Sequence, residues 1–108
     1  MSRKIGHAAE EAAAAWLEGL GYEILERNYY AKRGEIDLVA QKDGVLHFVE
    51  VKYSDRADPL ERITPAKLRR LLFAIERYLA QKRVDLPYQL DAVVVRPWGC
   101  ELIENITF

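Results

Sequence analysis

The chain has 108 residues, half of them hydrophobic, and its 16 basic and 17 acidic residues leave a net charge of −1. That length suits a single domain spanning 1–108, and the charge balance excludes a globally basic nucleic-acid binder while leaving room for a local patch. One cysteine, Cys100, excludes an internal disulfide framework and suits a reducing compartment. With no run near the ~18 apolar residues of a membrane span, no membrane partner is expected and the cytoplasm is the expected location.

The first predicted element is a helix from Arg3 to Gly19. Ile5, Ala9, Ala12, Ala13, Trp16, Leu17 and Leu20 repeat at helical spacing, and Gly19 and Gly21 stop it. Glu11 and Glu18 point away from the apolar stripe. Glu10 lies at its edge, where a carboxylate can reach over the rim of a sheet. Tyr22–Tyr30 reads as a strand whose imperfect alternation predicts an edge or a bend. Lys32 and Arg33 follow as a basic pair, explained by a solvated turn or by phosphate contacts.

Gly34–Lys52 carries the sharpest signal. Two alternating runs, Glu35–Gln41 and Val45–Tyr53, flank Asp43-Gly44, a pair suited to a two-residue hairpin turn that needs positive φ. Counting out from that turn sets Val39 opposite Phe48, Asp37 opposite Glu50 and Glu35 opposite Lys52. Glu35, Asp37, Glu50 and Lys52 then share one face, and Ile36, Leu38, Val49 and Val51 the other. Directly opposed carboxylates repel unless something compensates. A hard divalent cation, Mg²⁺ or Mn²⁺, is the natural compensator.

Ser54–Ile63 is polar, broken by Pro59 and reads as a loop; Arg56 and Arg62 are candidates for substrate contacts there. Thr64-Pro65 opens a second helix reaching about Lys82, with Leu68, Leu71, Leu72, Ile75 and Leu79 as its buried stripe. Lys67 lies on one flank of it, and Arg70 and Arg77 are expected on the outer face. Tyr88–Arg96 is a strand buried on both sides, opened by a surface or capping Asp91. Cys100–Ile106 is the last strand. The fold class is therefore α/β (α+β), a mixed sheet flanked by helices in the order αβββαββ.

Two carboxylates and a lysine on adjacent strands, with a third carboxylate from a helix, suit metal-dependent phosphodiester hydrolysis. Other chemistries find little support: there is no Gly-rich phosphate loop, no zinc spacing and no nucleophile elbow. His47, on the opposite strand face from Glu50, reads as structural.

Asp37 followed by Glu50-Val51-Lys52 resembles the PD…D/E-x-K signature of restriction-endonuclease-like nucleases, which include Holliday-junction resolvases. More specifically, the chain resembles the YraN-like family of small uncharacterised bacterial proteins. The resemblance runs through Gly6…Glu10…Ala13…Leu17, Gly21-Tyr22…Leu25…Arg27-Asn28, GEIDL at 34–38, FVEVK at 48–52, Thr64-Pro65…Lys67 and Asn105…Phe108. It implies a restriction-endonuclease-like core with Asp37, Glu50 and Glu10 as metal ligands for Mg²⁺ or Mn²⁺. Lys52 would be the catalytic lysine, with Glu35 and Lys67 in support. It also implies DNA as partner, branched or damaged, and a homodimer. Two positions depart from the family pattern: Ala9 replaces a glycine before Glu10, and Ser54 replaces an arginine after Lys52. Two alternatives stay open. One is a nucleic-acid-binding module that does not cut. The other is an interaction protein in which Glu35 and Lys52 pair across the strands.

Overall fold

The fold begins with α1 (Arg3–Gly19), followed by β1 (Glu23–Ala31), β2 (Gly34–Lys42) and β3 (Val45–Tyr53), three antiparallel neighbours. Helix α2 (Pro65–Lys82) then carries the chain across to β4 (Tyr88–Arg96), which pairs parallel to β3, and β5 (Gly99–Ile103) closes the sheet antiparallel to β4. A computed structural model of the chain describes residues 3–57 and 63–106. The strand order is β1-β2-β3-β4-β5, so the expected mixed sheet and the order αβββαββ are both present.

A helix covers each face. Ala9, Ala13, Ala14 and Leu17 of α1 pack on Leu38, Ala40, Val49, Val51, Val93 and Val95. Leu71, Ala74, Ile75 and Tyr78 of α2 pack on Ile36, Val39, Leu46, Phe48 and Leu90. Both helix stripes are rotated from the expected ones. Ala12 of α1, Leu20 just past its end and Leu72 of α2 are exposed, while Ala14, Ala74 and Tyr78 are buried. Small alanines seat α1 close to the sheet, and Tyr78 contributes edge-on ring contacts with Tyr29 and Phe48. Strand β4, sandwiched between the two layers, is buried from Leu90 to Val95, as its continuous apolar run requires.

Local chemistry sets the turns. Asp43 (φ 52°) and Gly44 (φ 77°) form the β2–β3 turn, and the expected register holds from Lys42–Val45 to Leu38–Val49. Thr64 caps α2, its Oγ1 accepting from Lys67 N at 3.2 Å, with Pro65 in the first turn. The last strand is shorter than expected. Asn105 turns the chain at φ 55° and donates its N–H to Asp91 Oδ1, so strand β5 ends at Ile103, while Ile106 N still donates to the Leu90 carbonyl of β4.

Strand β1 is an edge strand with a bulge between Ile24 and Glu26, which accounts for its imperfect alternation. A second irregularity decides the architecture of one end. Asn28 adopts φ 51°, and the β1–β2 ladder, intact at Arg27–Leu38 and Tyr29–Ile36, skips the Asn28–Asp37 pair between them. On β2's other side the ladder to β3 stops at Leu38–Val49. The pleat therefore slips at Asp37. Ile36 crosses to the α2 layer instead of joining Leu38 and Val49 under α1.

Candidate metal centre

The slip opens a notch at the end of the sheet. Gly34, Glu35, Asp37, Glu50, Lys67, Arg70 and Leu71 line a cavity of about 210 Å³ there. The opposed pairs Asp37–Glu50 and Glu35–Lys52 do not form as ladder partners, because β2 has left β3 by that point. Instead Asp37 turns its own side chain into the gap, Oδ2 accepting a hydrogen bond from Val51 N at 2.8 Å. A carboxylate thus satisfies a strand N–H that the departed backbone no longer serves.

From α1, Glu10 reaches the same notch, as its position at the edge of the apolar stripe suggested. Single carboxylate oxygens of Glu10, Glu35 and Asp37 lie within 4.8 Å of one another. With its amide nitrogen turned toward them, Asn28 donates to Glu10 Oε1 at 2.9 Å and to Glu35 Oε1 at 3.1 Å. Asn28 therefore belongs to the site, both as the residue that kinks β1 and as a bridge between two like charges. Its sequence signal was an asparagine, a residue type that tolerates left-handed backbone, inside a strand that already alternated poorly.

Glu50 is held differently. It is 6% exposed, and Lys67 Nζ lies 2.6 Å from its Oε1. The N-terminal turn of α2 points this lysine at the sheet, giving Lys67 a direct place in the notch. Arg70, expected on the outer face of α2, lines the notch one turn further along. Its position follows from the contact between Gly34 and the Arg70 backbone: a Cβ at Gly34 would clash with the Arg70 carbonyl oxygen. At the tip of the β1–β2 turn, Lys32 and Arg33 are exposed, and the Arg33 guanidinium sits 5.8 Å from the Phe73 ring centroid on α2. Lys67 and Arg70 are the basic residues that line the acidic notch on its α2 side.

Lys52 shares Glu50's face of β3 by the two-residue strand period and is partly buried, with Val94 as its β4 neighbour. No carboxylate among the described residues pairs with it, so the Glu35–Lys52 ion pair is not formed. Arg56 is exposed past the end of β3, where its carbonyl accepts from Arg96 Nε at 3.0 Å. It does not line the notch. Arg62 lies outside the described residues.

Crowded acids alter one another. Burial, then the charge of Glu50, push the Asp37 carboxyl up to about 7; Glu10 and Glu35 add to this, and the Val51 N–H partly offsets it. Burial also raises Glu35, followed by Glu10 and Glu50, with Lys67 pulling the other way. An array of oxygen donors that resist sharing negative charge suits a hard divalent cation such as Mg²⁺ or Mn²⁺. Glu10, Glu35 and Asp37 are the residues positioned to hold one.

A second group of ligand-type atoms, His47, Asp91 and Glu104, gathers elsewhere. Asp91 is fully buried rather than the surface or capping group expected. His47 Nδ1 donates to its Oδ2 at 2.7 Å, while Gln89 Nε2 (2.8 Å) and Asn105 N (3.0 Å) donate to Oδ1. Tyr22 packs edge-on against the His47 ring. These bonds fasten the segment after β5 to β4 and account for both Asp91 oxygens.

No helix among the described residues is long and apolar enough to cross a membrane. The sequence profile of the uncharacterised protein family UPF0102 matches residues 9–95. A UPF0102 protein of Wolinella succinogenes is 50% identical over 107 residues, 99% of each chain. One from Nitratiruptor sp. is 46% identical over 103 residues, 95% of this chain and 92% of its own. One from Helicobacter pylori is 46% identical over 106 residues, 98% of this chain and 93% of its own. The chain therefore belongs to the uncharacterised protein family UPF0102, the family to which its GEIDL and FVEVK segments pointed.

Proposed function

We propose that the protein is a divalent-cation-dependent nuclease that hydrolyses phosphodiester bonds in DNA, with branched or damaged DNA as its substrate class. The observation that carries this reading is the meeting of Glu10, Glu35, Asp37 and Glu50 in one notch bordered by Lys67 and Arg70. The similarity of Asp37…Glu50-Val51-Lys52 to the PD…D/E-x-K nuclease signature supports it.

A hard cation held there would supply Lewis-acid stabilisation of charge on a phosphoryl group and would make water more acidic. Glu10, Glu35 and Asp37 would hold it through their oxygens. Asn28 orients two of these carboxylates, and Val51 N orients the third. Lys52, on Glu50's face and without a carboxylate partner among the described residues, brings positive charge toward a phosphate oxygen as its negative charge grows. Lys67 and Arg70 draw the flanking phosphates onto the border of an otherwise acidic cleft.

The ion pair between Lys67 and Glu50 favours a second reading, a nucleic-acid-binding module that does not cut, since it already satisfies one of the four carboxylates. One experiment separates the two. Duplex, single-stranded and four-way-junction DNA are incubated with wild type and Asp37→Asn in Mg²⁺ or Mn²⁺, with a gel shift run in parallel. The nuclease reading expects cleavage by wild type that falls at least a hundredfold in the variant. Cleavage that survives Asp37→Asn would overturn it, and a salt-sensitive shift without cleavage would establish the second reading.

A further inference from the structure

The chain as a whole is slightly acidic, with a net charge of −1, yet the surface that leads away from the notch along α2 is basic. Arg70 lines the notch, and Arg70, Phe73 and Arg77 fall three and four residues apart, on one stripe of the helix. Arg33, preceded by Lys32 at the tip of the β1–β2 turn, meets this stripe from the sheet. Its guanidinium sits 5.8 Å from the Phe73 ring centroid, and the adjoining Gly34 abuts the Arg70 backbone. Lys32, Arg33, Arg70 and Arg77 are all exposed, and no acid among the described residues forms an ion pair with any of them. Nearby acids are placed otherwise. Glu26 pairs with Lys82 at 3.6 Å, and Glu76 lies about 100° round the helix from Arg77.

Like charges gathered without counter-charges repel one another, and a polyanion laid across them removes that cost. Arg70 and Arg77 stand about 10 Å apart along the helix axis, which matches the rise of about three base pairs at ~3.4 Å each. The aromatic ring in this stripe, Phe73, is half-buried and already carries Arg33. The surface therefore offers cations to phosphates rather than an open ring to an unstacked base. Contacts of that kind follow a duplex backbone and read no sequence.

We propose that Lys32, Arg33, Arg70 and Arg77 form a track that binds the phosphate backbone of a DNA duplex and leads it to the notch, with Arg70 where track and notch join. This rests on the reading of the notch as a nuclease centre and gives that reading its substrate form: a double-stranded arm, held by charge and shape rather than by sequence.

The test is fluorescence anisotropy of labelled DNA in EDTA, where binding is read without cleavage, over a series of salt concentrations. Wild type is expected to bind two duplexes of unrelated sequence within about threefold of each other, and a single strand of the same length at least tenfold more weakly. Its log affinity should fall against log salt with a slope of about −3 or steeper. Lys32→Gln/Arg33→Gln and Arg70→Gln/Arg77→Gln, made at exposed positions, should each lose tenfold or more in duplex affinity and flatten the slope by about 2. Arg27→Gln controls for charge alone. Arg27 is exposed on β1 opposite Leu38, which packs in the α1 layer, and its loss should leave duplex affinity within about threefold of wild type.

Track variants that bind as wild type does, an equal loss in Arg27→Gln, equal affinity for single strands, or absence of duplex binding at low salt each overturn the proposal. The notch is judged separately, by cleavage in Mn²⁺. Cleavage that requires Asp37 but ignores the track variants overturns the track alone. Track-dependent binding without cleavage supports the track and overturns the nuclease.

Discussion

Asp37 Oδ2 accepts the Val51 N–H at 2.8 Å, so a side chain stands in for the strand backbone where β2 and β3 part. The contact keeps the two strands joined and holds an acid beside three others. Its proton binding follows from that placement. The folded chain keeps the Asp37 proton up to about 7, chiefly through burial and the nearby Glu50, against an ordinary aspartate value of 3.8. The folded state therefore binds more protons than the unfolded chain between those values, and this group's contribution to stability falls as pH rises through that window. The upper bound is ~4 kcal/mol. Thermal melts in EDTA should show Asp37→Asn, which preserves the acceptor for Val51, gaining several degrees at pH 8 and little at pH 4. A variant that melts below wild type at pH 8 would show that the charged form is not strained.

Asn28 performs two tasks that a pair of substitutions can separate. Asn28→Gly and Asn28→Ala both remove the amide between Glu10 and Glu35. Only alanine must also hold φ near 51°, at a cost of ~1 kcal/mol relative to glycine. Urea unfolding should place Asn28→Ala below Asn28→Gly by about that amount, with both below wild type. Equal stabilities would mean that the backbone stores no strain there.

Asp91 anchors donors from three residues in the interior. Asp91→Ala leaves His47, Gln89 and the Asn105 N–H without their acceptor and should cost ~3 kcal/mol or more. Asp91→Asn, which keeps one oxygen, should cost less. Hydrogen exchange at Asn105 offers a local check, because its amide should lose protection in the alanine variant.

A gain is expected at the end of α2. Arg83 closes the helix in a left-handed conformation, φ 53° and ψ 46°, where glycine is the unstrained choice. Arg83→Gly should stabilise the fold by roughly 0.5–1 kcal/mol, as the relieved strain exceeds the extra freedom of the unfolded chain. A lower urea midpoint for this variant would refute it.

Much of the architecture was legible because short-range rules govern it. Asp43-Gly44 announced its turn through the conformations it tolerates, and the register followed for five residue pairs. Thr64-Pro65 announced a helix start through its cap. What escaped depends on partners distant in sequence. Counting outward from the turn set Asp37 opposite Glu50, but the count assumed an unbroken pleat, and Asn28 on the neighbouring strand breaks it. Asp91 looked like a surface group because its acceptor role is completed by His47, 44 residues earlier. Lys67 was read as a flank residue and as support for the site, but its direct bond to Glu50 depends on the rotation of α2 about its axis, which is set by packing against β2. The acidic membership of the site was visible early; its division into three carboxylates and one ion pair was not.

Where Gly34 meets the Arg70 carbonyl, strand and helix touch without an intervening side chain. The spacing of this end of the molecule is thus a property of main-chain atoms, which substitutions in the two apolar layers disturb least. Side chains on either side can be exchanged while the frame that carries them keeps its dimensions. Side-chain substitutions around this contact would therefore change the chemistry of the notch before they change its width.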